Sequence, residues 1–169
     1  MSIGNFFRTD EKTVKDIQKG KLSLIDLLYD TTHKNAKVHE DHVLDVDKAW
    51  HAIHFTLSGE AGNSSKEAPL SKVVLGGNLI SDEDREYGPA ALLTAEELPR
   101  VNSALQGVSK QWFWERFSVA EMAANHVYPV REDDDEETFF EYVYGYFEKV
   151  VEFFAEAERE KQAVLFLVT

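Results

Sequence analysis

The sequence predicts a single α+β domain: a small mixed β-sheet with N- and C-terminal strands, packed by several helices including a long C-terminal amphipathic one. Three observations carry this. From Glu136 to about Gln162, apolar side chains recur at Phe139, Phe140, Val143, Tyr146, Phe147, Val150, Phe154 and Ala157, the spacing of one helical face, with Glu and Lys opposite. The chain then closes on AVLFLVT, an apolar run with no polar alternation, as expected of a strand in the middle of a sheet rather than at its edge. Finally, 169 residues with neither internal repeat nor long low-complexity linker are expected to form one domain, residues 1–169.

The remaining elements follow in chain order. SIGNFFR, residues 2–8, reads as a short strand carrying Ile3, Phe6 and Phe7. TDEKTVKDIQKG reads as a helix with Thr9 or Asp10 as N-cap, Val14 and Ile17 on its apolar face and Gly20 as its stop. KLSLIDLLYDT is a second short helix burying Leu24, Leu27 and Leu28, and HKNAKVHEDHVLD, which lacks a period, reads as loop. LDVDKAWHAIHFTLSG reads as a short amphipathic helix ending at Gly59, a residue suited to a left-handed C-cap. EAGNSSKEAP has loop composition, and PLSKVVLGG reads as one or two helical turns with Pro69 in the first and Gly76 closing them. YGPAALLT is expected to be extended after a Gly-Pro turn. Thr94 and Glu97 then form a capping box, with Pro99 comfortable only in the first turn or two of that helix; Ser118 and Glu121 form a second box.

The formal net charge of −13 argues against nucleic-acid binding, which uses Lys and Arg to neutralise phosphates, and against anionic membrane surfaces. It favours a basic protein partner, because complementary charge speeds encounter. The absence of cysteine excludes disulfides, thiolate metal sites and a cysteine nucleophile, and fits a cytoplasmic location. MSIGNFFRTDEK shows no basic segment followed by an apolar stretch, so no secretory signal is expected, and no apolar run approaches the roughly 18 residues of a membrane helix. The run EDDDEE, residues 132–137, opens the long helix, where the helix dipole favours carboxylates. It lacks the Asp-x-Asp-x-Asp-Gly pattern of a calcium loop and is too short to imitate a nucleic-acid backbone.

Residues 47–58, set on a helical wheel, place Trp50, Ile53 and Leu57 together, with Asp47, His51, His54 and Ser58 in an adjacent stripe about 60° wide. Three readings compete. His51 and His54 with Asp47 are one metal-ligand set, with His33, His39 and His42 of the preceding loop as further candidates, but the HExxH spacing is missing and no metal or other cofactor is expected. His54 beside Asp47 or Ser58 is a candidate general base, although no G-x-S-x-G elbow, phosphate loop or dinucleotide fingerprint accompanies it. The third reading is structural: Asp45 or Asp47 caps the helix, His54 donates a hydrogen bond at the core rim, and Ser58 bonds the local backbone.

LDVDKAWHAIHFTLSG, then PLSKVVLGG, YGPAALLTAEEL and AEAEREKQAVLFLV, together with the opening IGNFF and the VYP at Val127 to Pro129, resemble the YfbM-like family of bacterial proteins of unknown function. The matching positions are Asp45, Asp47, Trp50, His54 and Gly59 in the first motif, and Pro69, Leu70, Gly76, Tyr87, Gly88 and Pro89 in the next two. His51 is not part of that pattern. The resemblance spans nearly the whole chain and implies one compact α+β domain, small in sheet and rich in helix, with no established activity, cofactor or catalytic residue. Glu160, Lys161 and Gln162 stand where a glycine often precedes the last strand of similar proteins, which bears on the turn there.

The expected role is that of a non-catalytic protein-binding module, of immunity or accessory type, with a basic protein partner; catalytic residues stay unassigned. The alternative is a small-molecule-binding protein or enzyme whose pocket uses Asp47, Trp50, His54 and Tyr87, with Trp50 as a stacking wall, His54 as donor or proton acceptor and Asp47 as an orienting carboxylate.

Overall fold

The last strand, Ala163–Val168 (β5), lies at the centre of a five-stranded sheet. The other strands are Gly4–Thr9 (β1), Val43–Asp45 (β2), Asn78–Ile80 (β3) and Ala90–Leu93 (β4), in the order β2-β1-β5-β4-β3. The computed structural model describes residues 2–32, 40–80 and 90–169. The sheet was expected to be mixed; among the described residues every pair is antiparallel. β1 and β5 are matched residue for residue from Gly4 opposite Val168 to Thr9 opposite Ala163, and Ile3 and Thr169 extend the ladder with reciprocal backbone bonds of 2.9 and 2.8 Å.

Side chains alternate across a strand, so consecutive apolar residues must find cover on both faces. Phe6, Val164, Phe166 and Val168 enter one core, and Phe7, Ala163, Leu165 and Leu167 the other. Helices Glu11–Gln18 (α1) and Leu24–Thr32 (α2) cover the second face through Val14, Ile17, Leu24 and Leu28. On the first lie Trp50–Ser58 (α3), Leu98–Gln106 (α4), Lys110–Arg116 (α5), Val119–Ala124 (α6) and Glu136–Arg159 (α7). α7 is the spine of this layer: Phe140, Val143, Phe147, Val150, Phe154 and Ala157 are buried along one stripe. Phe6 meets Phe154 edge-on at 5.7 Å and Phe166 at 4.9 Å, and each such ring withdrawn from water contributes about 1.5–3 kcal/mol.

Local signals end the helices where the sequence asks them to. Asp10, Ser109, Ser118 and Asp135 each accept a backbone N–H three residues on. Thr94 and Glu97 bond reciprocally at 3.3 and 3.2 Å, and Pro99 sits in the first turn of α4, where its missing N–H has no partner to lose. At the end of α7, Lys161 takes φ +55°, the left-handed turn that a glycine adopts without strain.

Three local expectations are corrected. Val43–Asp45, read as loop and helix start, pairs with β1 as an edge strand, and the α-helix begins only at Trp50 after a 3-10 turn over Asp47–Ala49. Three residues are too few to show a period, so the strand leaves no signal in the sequence. The α3 helix is also not amphipathic in its surroundings: Ala52 to Ser58 are all buried. The Pro69–Lys72 turn is a single 3-10 turn that finishes before Gly76.

Gly4 and Gly145 make opposite demands. A Cβ on Gly4 would lie 2.6 Å from the Trp50 Cβ, whereas one on Gly145, in the exposed face of α7, meets nothing within 4 Å. Urea unfolding should therefore show Gly4→Ala losing about 1–3 kcal/mol to overpacking, and Gly145→Ala gaining about 0.5–1 kcal/mol from helix propensity.

Candidate functional site

The polar stripe of α3 is assembled as a set of ties between segments. Asp47 begins it in a left-handed conformation, φ +49°, which is costly for a residue with a Cβ. Two bonds hold it there: its N–H donates to Asp45 Oδ1 at 2.7 Å, and its carboxylate accepts from the Tyr142 hydroxyl of α7 at 2.6 Å. The same hydroxyl accepts from the Lys48 N–H at 3.2 Å. Burial, then the bond to Asp47, pushes the Tyr142 phenol above its ordinary range, so it stays a donor.

Trp50 turns the other way. Its indole N–H donates to the Ser2 carbonyl at 3.1 Å, and its ring stacks on His51 with centroids 4.7 Å apart and planes 7° from parallel. The His51 Nε2 lies 2.7 Å from the Ala61 carbonyl, which can only accept, so the proton sits on Nε2; Nδ1 accepts the Tyr128 N–H at 2.8 Å. His54 Nε2 likewise donates to the Gly62 carbonyl at 2.7 Å. The two histidines thus pin the loop after Gly59, helped by Lys66 Nζ on the Ser58 carbonyl at 2.7 Å.

Two consequences bear on chemistry. Ser58 Oγ is 3.4 Å from His54 Nε2, but that nitrogen carries the proton held for Gly62; the serine hydroxyl instead donates to the His54 carbonyl at 2.7 Å. The nitrogen facing the serine is therefore not disposed to take its proton. Burial, opposed by the bond to Gly62, pushes the His54 imidazole down to about 4, and its Nδ1 is buried without a hydrogen-bond partner. Asp47, Trp50 and His54 accordingly bond α7, the N-terminal segment and the 60–62 loop respectively. Tyr87, the fourth residue expected there, lies outside the described residues, as do His33, His39 and the Gly88–Pro89 turn. Among the described residues no cluster of three or more His, Cys, Asp or Glu side chains is placed to hold a metal ion.

A groove of about 550 Å³ opens elsewhere, between α5 and the first turns of α7. Lys110, Gln111 and Trp114 line it from α5, and Glu137, Phe140 and Glu141 from α7. On each helix these positions fall at i, i+1 or i+3, and i+4, so each helix contributes one face. Trp114 stands edge-on to Phe140 at 4.8 Å and forms the apolar floor. The acidic run leads into it. Asp134 accepts from the Arg131 N–H, Asp135 caps α7, and Glu136 accepts from the Val119 N–H, while Glu132, Asp133 and Glu137 are exposed. A second groove of about 510 Å³, between β2 and α7, has walls of both signs: Arg8, already bound to Gln162 at 2.6 Å and beside Asp41, with Lys149, Glu152 and Glu156.

None of the α5 groove residues was singled out from sequence. The available signal was KQWFWER, where a short polar helix carries Trp112 and Trp114 on either side of a buried Phe113. Its proximity to EDDDEE depends on how α5 packs against α7.

The family model described as "Domain of unknown function (DUF1877)" matches residues 1–167. The chain belongs to this family. Among its relatives is Protein YfbM of Escherichia coli (strain K12), 28% identical over 129 residues, which are 75% of this chain and 72% of that one. The crystal structure of YfbM from Escherichia coli, titled a protein of unknown function, aligns over 99% of both chains with a TM-score of 0.76 and 23% identity, a likeness of fold. Membership of the DUF1877 family agrees with the resemblance seen in the sequence motifs, and the Asp45, Asp47, Trp50, His54 and Gly59 pattern has a structural account in this chain. Asp45 and Asp47 set a strained turn, Trp50 packs on Gly4, His54 holds the 60–62 loop, and Gly59 closes α3 at φ +77°.

Acid should loosen this structure through His54. Below its ordinary value of 6.5 the unfolded imidazole binds a proton that the folded one refuses until about 4, so stability falls as pH drops through that window. The full difference corresponds to roughly 3 kcal/mol. Urea titrations from pH 7 to 4 should show this slope, and His54→Gln should flatten it. Tyr142→Phe removes the donor from a carboxylate held in a strained turn and should cost about 1–3 kcal/mol at pH 7. An unchanged urea midpoint would show that the Asp47 turn does not depend on α7.

Proposed function

We propose that this protein is a non-catalytic binding module that docks a basic segment of a protein partner in the α5–α7 groove. The observation that carries the reading is the pairing of an aromatic floor, Trp114 and Phe140, with the carboxylates of Glu137 and Glu141 in one open groove. Aromatic rings supply rigid contact area at low entropic cost, and carboxylates select for cations. The exposed Glu132 and Asp133 extend the negative field beyond the groove, and the chain's net charge of −13 steers a basic partner towards it. The stripe of α3 supports the same reading indirectly, since the Asp47 carboxylate, both His51 nitrogens and His54 Nε2 are engaged in joining segments of the fold.

No helix among the described residues is long and apolar enough to cross a membrane. The partner is sought among proteins because the groove joins aromatic surface to carboxylates. A tagged chain purified from its own cells at moderate salt should bring down a basic protein in near-equal amount. Glu137→Lys with Glu141→Lys should release it, with affinity falling at least about tenfold, while the folded stability stays within about 0.5 kcal/mol. A lone protein, or a partner retained by the double variant, would overturn the assignment of this groove.

A further inference from the structure

The groove already holds a cation of its own. Lys110, the first residue of α5, extends its ammonium to 5.3 Å from the Tyr144 ring centroid and 5.9 Å from that of Phe140, and to 3.4 Å from Glu141 Oε1. These are the distances at which a ring face and a carboxylate attract a positive charge. Both members of the ion pair are more than half exposed, at 56% and 66%, so the contact is weakly held and open to competition. The groove therefore displays, with an internal side chain, the chemistry it would offer an external one.

Building on the docking reading above, we propose that Lys110 is a built-in placeholder in a subsite for an arginine side chain of the partner, which displaces it. Arginine fits this subsite better than lysine for geometric reasons. The half-buried Trp114 supplies the accessible apolar surface, with Phe140 buried beside it, and Glu137 and Glu141, one turn apart on α7, offer carboxylates to a planar fork of donors. A compact ammonium gains only the point-charge part of that, and Lys110 already provides it. The same helix shows the stacked alternative on its other side, where the Arg116 guanidinium lies 4.3 Å from the Trp112 ring centroid. A lysine at position 110 would then act as a threshold: peptides with isolated lysines exchange one ammonium for another, while an arginine gains the ring stacking and the second carboxylate.

The test uses the full chain with an N-acetylated, C-amidated tetra-arginine peptide and its tetra-lysine counterpart as probes. Calorimetry should give tighter binding for the arginine peptide, abolished or strongly weakened by Glu141→Gln. Lys110→Met should tighten it by about three- to tenfold, the range expected for removing an exposed ion pair with its ring contacts. Lys21→Met removes the same charge from an exposed position outside the groove and should change affinity less than twofold. In the wild type, the Lys110 ε-methylene resonances, shifted by the Tyr144 and Phe140 rings, should move towards the value of an exposed lysine as the arginine peptide is added. Equal tightening by Lys110→Met and Lys21→Met, or an unmoved Lys110 resonance at saturation, would overturn the placeholder while leaving the groove as a docking site. Binding that ignores Glu141→Gln would overturn the docking reading, and the placeholder with it.

Discussion

The antiparallel pairing of β1 with β5 is the constraint on which the rest of the molecule depends. It joins residues from opposite ends of the chain along six matched positions and puts an all-apolar strand at the centre of the sheet. A one-residue slip of β1 along β5 would set Phe6 opposite Leu165 or Leu167, and Phe6 would leave the core beneath α7 for the smaller one beneath α1 and α2. The two layers of helices, unequal in size, are what an antiparallel sheet with no solvent face requires. Loop closure over nearly the full chain makes this pairing entropically expensive to form, and the burial on both faces offsets it.

From this pairing the position of α3 follows. β1 enters with Gly4, whose missing side chain makes room for Trp50, and Trp50 bonds Ser2 just ahead of the strand. The helix is then enclosed on every side, including the side that carries histidines. Their imidazoles stay neutral in a dry environment and donate to the carbonyls of the following loop, which would otherwise be unsatisfied. In this stripe the Nε2 atoms of both histidines are thus spent on backbone carbonyls, while His54 Nδ1 stays buried without a partner. The left-handed Asp47 fits the same account, since strain at a turn persists only where neighbours overdetermine it, and Asp45 and Tyr142 do so.

The α5–α7 groove sits at the opposite extreme. α5 has seven residues and α7 twenty-four, so the short helix packs only on the N-terminal part of the long one, where Trp114 meets Phe140 and Lys110 meets Glu141. That end carries the acidic run, for which the helix dipole and capping provide a structural reason only in part: Asp134, Asp135 and Glu136 are engaged locally, and their neighbours are not needed for that. The surplus carboxylates beside the half-buried Trp114 distinguish this place from the groove next to Arg8, whose charges already compensate one another.

The sequence by itself determined the fold class, the terminal strands, the central place of β5 and the buried stripe of α7, because period and unbroken apolarity report directly on how many faces an element must hide. It also determined the caps at Thr94 and Ser118 and narrowed the first to Thr9 or Asp10, since these are local hydrogen bonds written within four residues. It did not show the strand Val43–Asp45 or the antiparallel character of every pair, since a three-residue edge strand has no period and pairing direction is a property of two segments. Only the tertiary structure decided what the α3 histidines do and where Trp114 meets Glu137 and Glu141. Such partners are set by which surfaces come together, and a histidine whose ring meets Tyr128, 77 residues away, carries no local mark of whether it will face a backbone group, a metal ion or water.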